Sequence, residues 1–248
     1  MKSHFEKYIV SESSTIKDVL GVIDRNTEGF CLVVQNNKLV ATLSDGDVRR
    51  LVLSGLTLND KIEFSRDFIS IDISDNFDTV CEKFRKPKIN FLPVLKLGKF
   101  YNFLTKAQFH VMLLEGIEYA PDLNFFQFNS KKLEYEIYNR PWGFYKSTWL
   151  SSIAQAKILT IFPDSEISLQ KHFKREEHWV VIKGKGILNL DNKRVEVASG
   201  EYVYIPMECK HRIINTSLNE NMIISEVQLG NYFGEDDIVR YDDKYERS

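Results

Sequence analysis

Apolar residues recur along STIKDVLGVIDR at Ile16, Val19, Leu20 and Ile23, the i, i+3, i+4, i+7 spacing of one buried helix face. The pattern then changes to period two, with a strand in CLVVQ, a turn at NNK and a second strand in LVATLS. A helical pattern returns in DVRRLVLSG. Shifted by 61 residues, the same order reappears: Phe77, Val80, Cys81 and Phe84 fall on the first helix, FLPVLK on the first strand and FYNFLT on the second. Ser44 then lands on Thr105 and Asp47 on Gln108. An offset kept across helix, strand, turn and strand marks an internal duplication. Residues 116–138, GIEYAPDLNFFQFNSKKLEYEIY, break the period at Pro121 and NSKK and read as a connector. Phe125, Phe126 and Phe128 are too apolar to stand in solvent, so this connector should pack. From Arg140 onward short alternating runs follow closely, among them AKILTIF, EISLQKHF, HWVVIKGKGILNL, EYVYIP, HRIINT and MIISEVQ. They predict an all-β sandwich or barrel. The tail GEDDIVRYDDKYERS reads as too charged for a core. The expected organisation is an α+β part over 1–115, a connector over 116–138 and an all-β domain over 139–248.

Composition narrows the classes. A chain of 248 residues holds one large domain or two modest ones. A net charge of −2 without a Lys/Arg cluster argues against nucleic acid or an anionic membrane as partner. The N-terminal MKSHFEKYIVSESS has no apolar core of signal-peptide length, and no run approaches the roughly 20 apolar residues of a membrane span. Cys31, Cys81 and Cys209 are odd in number and far apart, which suits reduced core thiols and a cytoplasmic protein.

The chemistry concentrates in SLQKHFKREEHWVVIKGKG. Strand alternation puts Ser168, Gln170 and His172 on one face and Glu177, Trp179 and Val181 on one face of the next strand. A metal site, a satisfied polar network and an exposed charged hairpin are the three readings of that grouping. Facing a barrel interior, bare polar groups would each cost on the order of several kcal/mol. One metal ion would satisfy Gln170, His172 and Glu177 together, and His211 is the natural further donor, since only His4 and His110 lie outside this half. His178 alternates to the opposite face and reads as structural. Glu226 and Gln228 share a face of ISEVQ, and Lys157 is a charged residue on the apolar alternation Lys157, Leu159, Ile161. A buried lysine usually has a reason.

Two family resemblances attach to these residues. The first part resembles a tandem pair of CBS domains, with ATLSDGDVRR in the first repeat. That resemblance implies that Ser44 and Asp47 meet a nucleotide, the Asp accepting from ribose hydroxyls. Gln108 replaces the acid in the second repeat, and Ser44 to Asp47 reads equally as a helix cap. The second part resembles the cupins, whose motifs are G-(x)5-H-x-H-(x)3–4-E-(x)6-G and G-(x)5-P-x-G-(x)2-H-(x)3-N. Every gap matches through Asp164, Gln170, His172, Glu177 and Gly184, then Gly200, Pro206, Glu208, His211 and Asn215. Asp164 and Glu208 stand where the motifs carry glycine, and Gln170 where they carry histidine. With RPWG, REEHWVV, HR-x-x-N, E-x-Q-x-G and EDDIVR, residues 140–247 resemble the type II mannose-6-phosphate isomerase domain usually fused to mannose-1-phosphate guanylyltransferase.

The resemblance implies a cupin, a double-stranded β-helix or jelly-roll barrel, following the α+β CBS pair. It implies a divalent metal, Zn first with Mn, Fe or Co as alternatives, on Gln170, His172, Glu177 and His211. It further implies an aldose–ketose isomerase of a sugar phosphate, of the mannose 6-phosphate/fructose 6-phosphate type, in polysaccharide or sugar-nucleotide precursor synthesis. Glu226 is assigned as proton shuttle, Lys157 as an electrophilic or orienting group, and Gln228 to the substrate. Arg140, Arg240 and Arg247 either grip a substrate phosphate or neutralise the acidic tail. No Gly-rich nucleotidyltransferase loop appears, so the chain is not expected to make GDP-mannose itself. A nucleotide or sugar nucleotide at the CBS pair and a homodimer are the expected partners. The alternatives are a non-catalytic sensor of sugar phosphate and nucleotide, lent weight by the departures at Asp164, Lys174, Glu208 and Glu246, and another cupin activity such as epimerisation.

Overall fold

The computed structural model describes residues 3–36, 38–242 and 244–245, and the chain divides into two compact units. The first takes the chain up to Lys106 together with Tyr119–Phe125. The second takes Ala107–Glu118 and the chain from Phe126 on.

The duplication is explicit in the element order. One copy runs β1 (Ile9–Val10), α1 (Ile16–Asn26), β2 (Phe30–Gln35), β3 (Lys38–Ser44) and α2 (Asp45–Leu53). The other runs β4 (Ile71–Asp72), α3 (Phe77–Arg85), β5 (Phe91–Lys96), β6 (Lys99–Thr105) and α4 (Lys106–Leu114), of which the residues after Lys106 fall in the second unit. Each copy pairs its first two strands parallel and its hairpin antiparallel. The copies agree to the residue. Phe30 opposes Ser44 with a bulge between Val33 and Val34, and Phe91 opposes Thr105 with a bulge between Val94 and Leu95. Phe30 and Phe91, equivalent positions, stack with ring centroids 3.8 Å apart. The two copies therefore share an aromatic centre, with Tyr8 and Phe103 also against Phe30. In α1, Thr15 and Asp18 form a capping box that fixes the helix start. The buried stripe is Ile16, Val19, Val22 and Ile23, whereas Leu20 is partly exposed. The helix thus turns slightly from the face its apolar spacing suggests.

The second unit contains β7 (Ile137–Arg140), β8 (Gly143–Leu150), β9 (Ala154–Ile161), β10 (Leu169–His172), β11 (Arg175–Lys183), β12 (Lys185–Leu190), β13 (Lys193–Ala198), β14 (Tyr202–Ile205), β15 (His211–Asn215), β16 (Met222–Gly230) and β17 (Ile238–Asp242). They form a five-stranded sheet, β13-β12-β15-β10-β17, and a six-stranded one, β14-β11-β16-β9-β8-β7. From β9 to β17 the chain passes back and forth between the sheets, staying in one sheet only across the β12–β13 hairpin. That is the winding of a double-stranded β-helix, the cupin architecture expected for this part. Trp179, Val181, Ile161 and Ile224 from one sheet meet Leu188, Val197 and Ile213 from the other in a single core.

Register sorts the interior into rows. Glu177 opposes Gln228, which opposes Gln155; Trp179 opposes Glu226, which opposes Lys157. Val181, Ile224, Leu159 and Tyr145 form the next inward row, and Met222 and Ile161 the last. One end of the interior is therefore polar and the other apolar. The tail keeps to its sequence reading except at one described residue. Ile238–Asp242 pairs with β10, and Asp237 is buried. Ion pairs make this tolerable: Arg175 approaches Asp237 at 3.8 Å and Arg212 meets Asp242 at 2.9 Å.

The four turn positions at which the cupin motifs call for glycine all have left-handed backbone: Asp164 (φ 51), Gly184 (φ 95), Gly200 (φ 93) and Glu208 (φ 63). A side chain disfavours that conformation by about 1–2 kcal/mol. Glycine instead surrenders about 0.5–1 kcal/mol of additional chain entropy. The Glu208 turn matters because its N–H donates to the His172 carbonyl at 2.7 Å. Glu208→Gly should stabilise the chain by about 0.5–1 kcal/mol, read as a raised urea midpoint. An unchanged or lowered midpoint overturns this account of the turn.

Candidate functional site

Glu177 is the centre of the polar end and is 1% exposed. Its place on β11 follows from alternation, since Arg175, Glu177, Trp179 and Val181 all face inward. His172 Nε2 lies 3.1 Å from Glu177 Oε1 and His211 Nε2 3.4 Å from Oε2. Both Nε2 atoms are nevertheless buried without an aligned hydrogen bond. His211 Nδ1 is 3.0 Å from the Cys209 carbonyl, which assigns its proton to Nδ1 and leaves the Nε2 lone pair facing Glu177. Candidate ligand atoms of His172, Glu177 and His211 all lie within 4.8 Å of one another. Two orphaned imidazole nitrogens beside a carboxylate are the donor set of a transition-metal site rather than of a calcium or magnesium site.

The remaining contacts of Glu177 are hydrogen bonds and charge. Trp179 Nε1 donates to Oε2 at 3.1 Å and Gln228 Nε2 to Oε1 at 2.7 Å, while Arg175 Nε stands 3.6 Å away. Burial alone would push the Glu177 carboxyl up, but His172, His211 and Arg175 outweigh it and hold it well below the usual range. His211 is shifted down, chiefly by burial, which favours the neutral imidazole that a ligand needs.

A pocket of about 480 Å³, its open mouth included, rises from this floor. Gln170 lies on its wall, opposite His211 in register, with its Oε1 accepting from Ser168 Oγ at 3.0 Å. Lys157, Glu226 and Gln228 also line it. Gln228 Nε2 donates to Glu226 Oε1 at 2.9 Å, and Lys157 Nζ lies 3.5 Å from the same oxygen. Burial first, then the negative Glu177, raise Glu226 to about 7, against the pull of Lys157. Two carboxylates on one wall thus titrate far apart.

Arg140 and Arg240 reach the pocket from β7 and β17, and Trp142 and Tyr145 line it between them and the floor. Trp179 is core, its N–H bound to Glu177. His178 points to the outer face, where it meets Tyr202 and Glu176. Arg247 lies outside the described residues. In the first unit Ser44 and Asp47 form a capping box: Asp47 Oδ2 accepts from Ser44 N at 2.8 Å and from Ser44 Oγ at 2.6 Å, and Arg50 holds Oδ1.

Sequence reasoning did not select Arg175, Glu235 or Asp237. Arg175 could have been found, since it precedes Glu177 by two on an alternating strand. Glu235 and Asp237 sat in a tail that composition marks as solvent-facing.

Residues 128–243, just under half of the chain, match the family described as Mannose-6-phosphate isomerase C-terminal. The alginate biosynthesis protein AlgA of Pseudomonas aeruginosa is 41% identical over 113 residues, 46% of this chain and 23% of AlgA. The mannose-1-phosphate guanylyltransferase ManC of Salmonella typhimurium is 37% identical over 112 residues, 45% of this chain and 23% of ManC. The chain thus spans about a quarter of the length of these relatives. Among solved structures, a Klebsiella pneumoniae protein with a double-stranded β-helix domain aligns with a TM-score of 0.38 at 16% identity, over 44% of this chain and 92% of that one. Residues 128–243 are thus similar in sequence to the mannose-6-phosphate isomerase C-terminal family, and the two sheets have the winding of a double-stranded β-helix. No helix among the described residues is long and apolar enough to cross a membrane.

The raised Glu226 makes a signed prediction. Its folded value of about 7 exceeds its ordinary 4.5, so its contribution to stability is full below pH 4.5 and is lost as pH rises through 7. Gln cannot ionise and escapes that loss. The stability of Glu226→Gln relative to the unsubstituted chain should climb between those two values by up to about 3 kcal/mol and then level off, measured by urea unfolding of metal-free protein. A flat difference across the window contradicts the assignment.

Proposed function

We propose that the cupin domain is a divalent-metal-dependent aldose–ketose isomerase of a sugar phosphate, of the mannose 6-phosphate/fructose 6-phosphate type, serving the synthesis of polysaccharide or sugar-nucleotide precursors. The observation that carries this reading is the convergence of two partnerless imidazole nitrogens on Glu177, beside a carboxyl whose proton is exchangeable near neutrality. His172, Glu177 and His211 would hold the ion, with Gln170 as the fourth donor. Zn is the first choice among metals that favour such ligands, ahead of Mn, Fe and Co. Bound there, the metal supplies Lewis acidity to the carbonyl and hydroxyl oxygens of the sugar.

The chain's own groups do the rest. An aldose–ketose exchange moves a proton between adjacent carbons, so the shuttle must be able to give and take near pH 7. Glu226 has that property, and Lys157 and Gln228 fix its Oε1. Lys157 also lies 4.8 Å over the Tyr145 ring, which keeps its charge at the wall rather than in solvent. Arg140 and Arg240 at the mouth are suited to the phosphate, since guanidinium matches phosphate oxygens. Trp142 and Leu159 add apolar surface to the pocket lining.

The duplicated first part is read here as a CBS pair that tunes the cupin with a nucleotide. The exact 61-residue repeat of register and bulge supports the pairing of two such modules. A ribose at Asp47 would have to take the place of Arg50 or of the Ser44 cap, both engaged in this structure.

Removal of metal by chelation should abolish hexose-phosphate isomerisation, and Zn, Mn or Co should restore it. Glu177→Gln and His211→Ala should each lower kcat/KM by at least about a hundredfold and weaken metal retention alongside. A metal-loaded chain that turns over no hexose or heptose phosphate, yet binds one, would select the non-catalytic sensor instead.

A further inference from the structure

The mouth of the pocket holds an arrangement that the isomerase reading does not use. Glu235, in the turn before β17, places Oε1 3.0 Å from Arg140 and Oε2 3.1 Å from Arg240. One carboxylate bridges two guanidiniums that come from different sheets. Arg140 is further held over Tyr138 and Tyr145 at 5.6 and 5.4 Å, so it cannot swing away freely. Arg240 is anchored by its strand, where it pairs with Gln170. Glu235 is the most exposed of the three, 53% against 24% for each arginine side chain. The two fixed cations thus carry a carboxylate that solvent can receive.

We propose that Glu235 is a built-in competing anion, a specificity residue that makes the pocket mouth admit dianionic phosphate esters and refuse monoanionic carboxylates. This rests on the reading of Arg140 and Arg240 as the phosphate grip. A ligand carboxylate offers the arginines two oxygens and one charge, which Glu235 already supplies without loss of translational freedom. It therefore gains nothing by displacing Glu235. A phosphate ester brings three oxygens and, above its second pKa of about 6, close to two charges. It can outbid the carboxylate, which then moves into water. Discrimination here comes from an occupant that the wrong ligand cannot improve on. The charge balance agrees: Arg140, Lys157, Arg175 and Arg240 face Glu177, Glu226 and Glu235 around the pocket, so Glu235 offsets cationic charge at the mouth. Burial works to raise Glu235, but Arg140 and Lys157, with Arg240, hold it ionised below its ordinary value.

The test is binding, which separates this inference from turnover. Mannose 6-phosphate and mannuronate are titrated calorimetrically into the full chain, into Glu235→Gln and into Glu235→Asp. The unsubstituted chain should favour the phosphate ester strongly. Glu235→Gln should bind mannose 6-phosphate about tenfold tighter and gain more for mannuronate, so that the preference narrows. Glu235→Asp, charged but too short to span both arginines, should fall between the two. Unchanged or weaker binding of both ligands by Glu235→Gln, or an unaltered ratio between them, overturns the proposal. Absence of binding by every form overturns it together with the phosphate grip. The predicted shift in a chain that isomerises nothing retains it while ending the isomerase reading.

Discussion

A carboxylate sealed in a barrel dictates most of the second unit. An ionised group in that position would be disfavoured by several kcal/mol or more without partners, on the order of the penalty for any buried ion. Glu177 accepts hydrogen bonds from Trp179 and Gln228 and has Arg175 at 3.6 Å, with the imidazoles of His172 and His211 beside it. They come from β10, β15, β11 and β16, strands of both sheets. No partner can shift register by one residue without turning outward. The constraint therefore fixes the alignment of four strands at once, and it explains why the polar rows lie together at one end while Val181, Ile224, Leu159 and Met222 fill the other.

The same carboxylate sets the chemistry of its neighbour. Glu226 is one inward row, two residues, from the position opposite Glu177 on the adjacent strand, and the first charge raises the cost of a second. The neighbouring groups are unevenly shared. Both imidazoles and Arg175 converge on Glu177, whereas Lys157 is the cation against Glu226. One carboxyl stays ionised and able to ligate, and the other keeps its proton until near neutrality. Environments that push two titratable groups apart are how one wall supplies both an anchor and an acid or base. Gln228 is the physical link, since its single NH2 group donates to both carboxylates.

Much of this was legible in the sequence where the information is local. The 61-residue offset predicted the repeated elements, and the structure repeats their register as well, because turn length and bulge position are set by neighbours in the chain. Alternation placed Gln170, His172, Glu177, Glu226, Gln228 and Lys157 toward the interior, and the structure lines them on the pocket or its floor. Leu20 was misplaced because a four-residue apolar spacing cannot tell which of two adjoining helix faces meets the sheet. The tail was read as too charged for a core, and among its described residues only Asp237 is buried. What its composition did not show is that Asp237 and Asp242 find Arg175 and Arg212, tens of residues away. Pairing at that separation leaves no periodic trace. Of the Ser44–Asp47 element, both readings were visible, and the structure shows the capping one occupied.

The distribution of the site over the sheets has a consequence for specificity. The floor residues sit on β10, β11, β15 and β16, each flanked by strands on both sides. Arg140 and Glu235 with Arg240 belong instead to β7 and to the segment around β17, the outermost strands of the two sheets. An edge strand can change length, charge or register without disturbing an interior row, whereas an interior strand cannot. On the proposed reading, chemistry would be held by the part of the barrel that is hardest to alter, and ligand choice by the part that is easiest. That division also accounts for where sequence reasoning was sharp and where it was blind. The interior strands write their partners as strict spacing, and the edges write theirs only as composition.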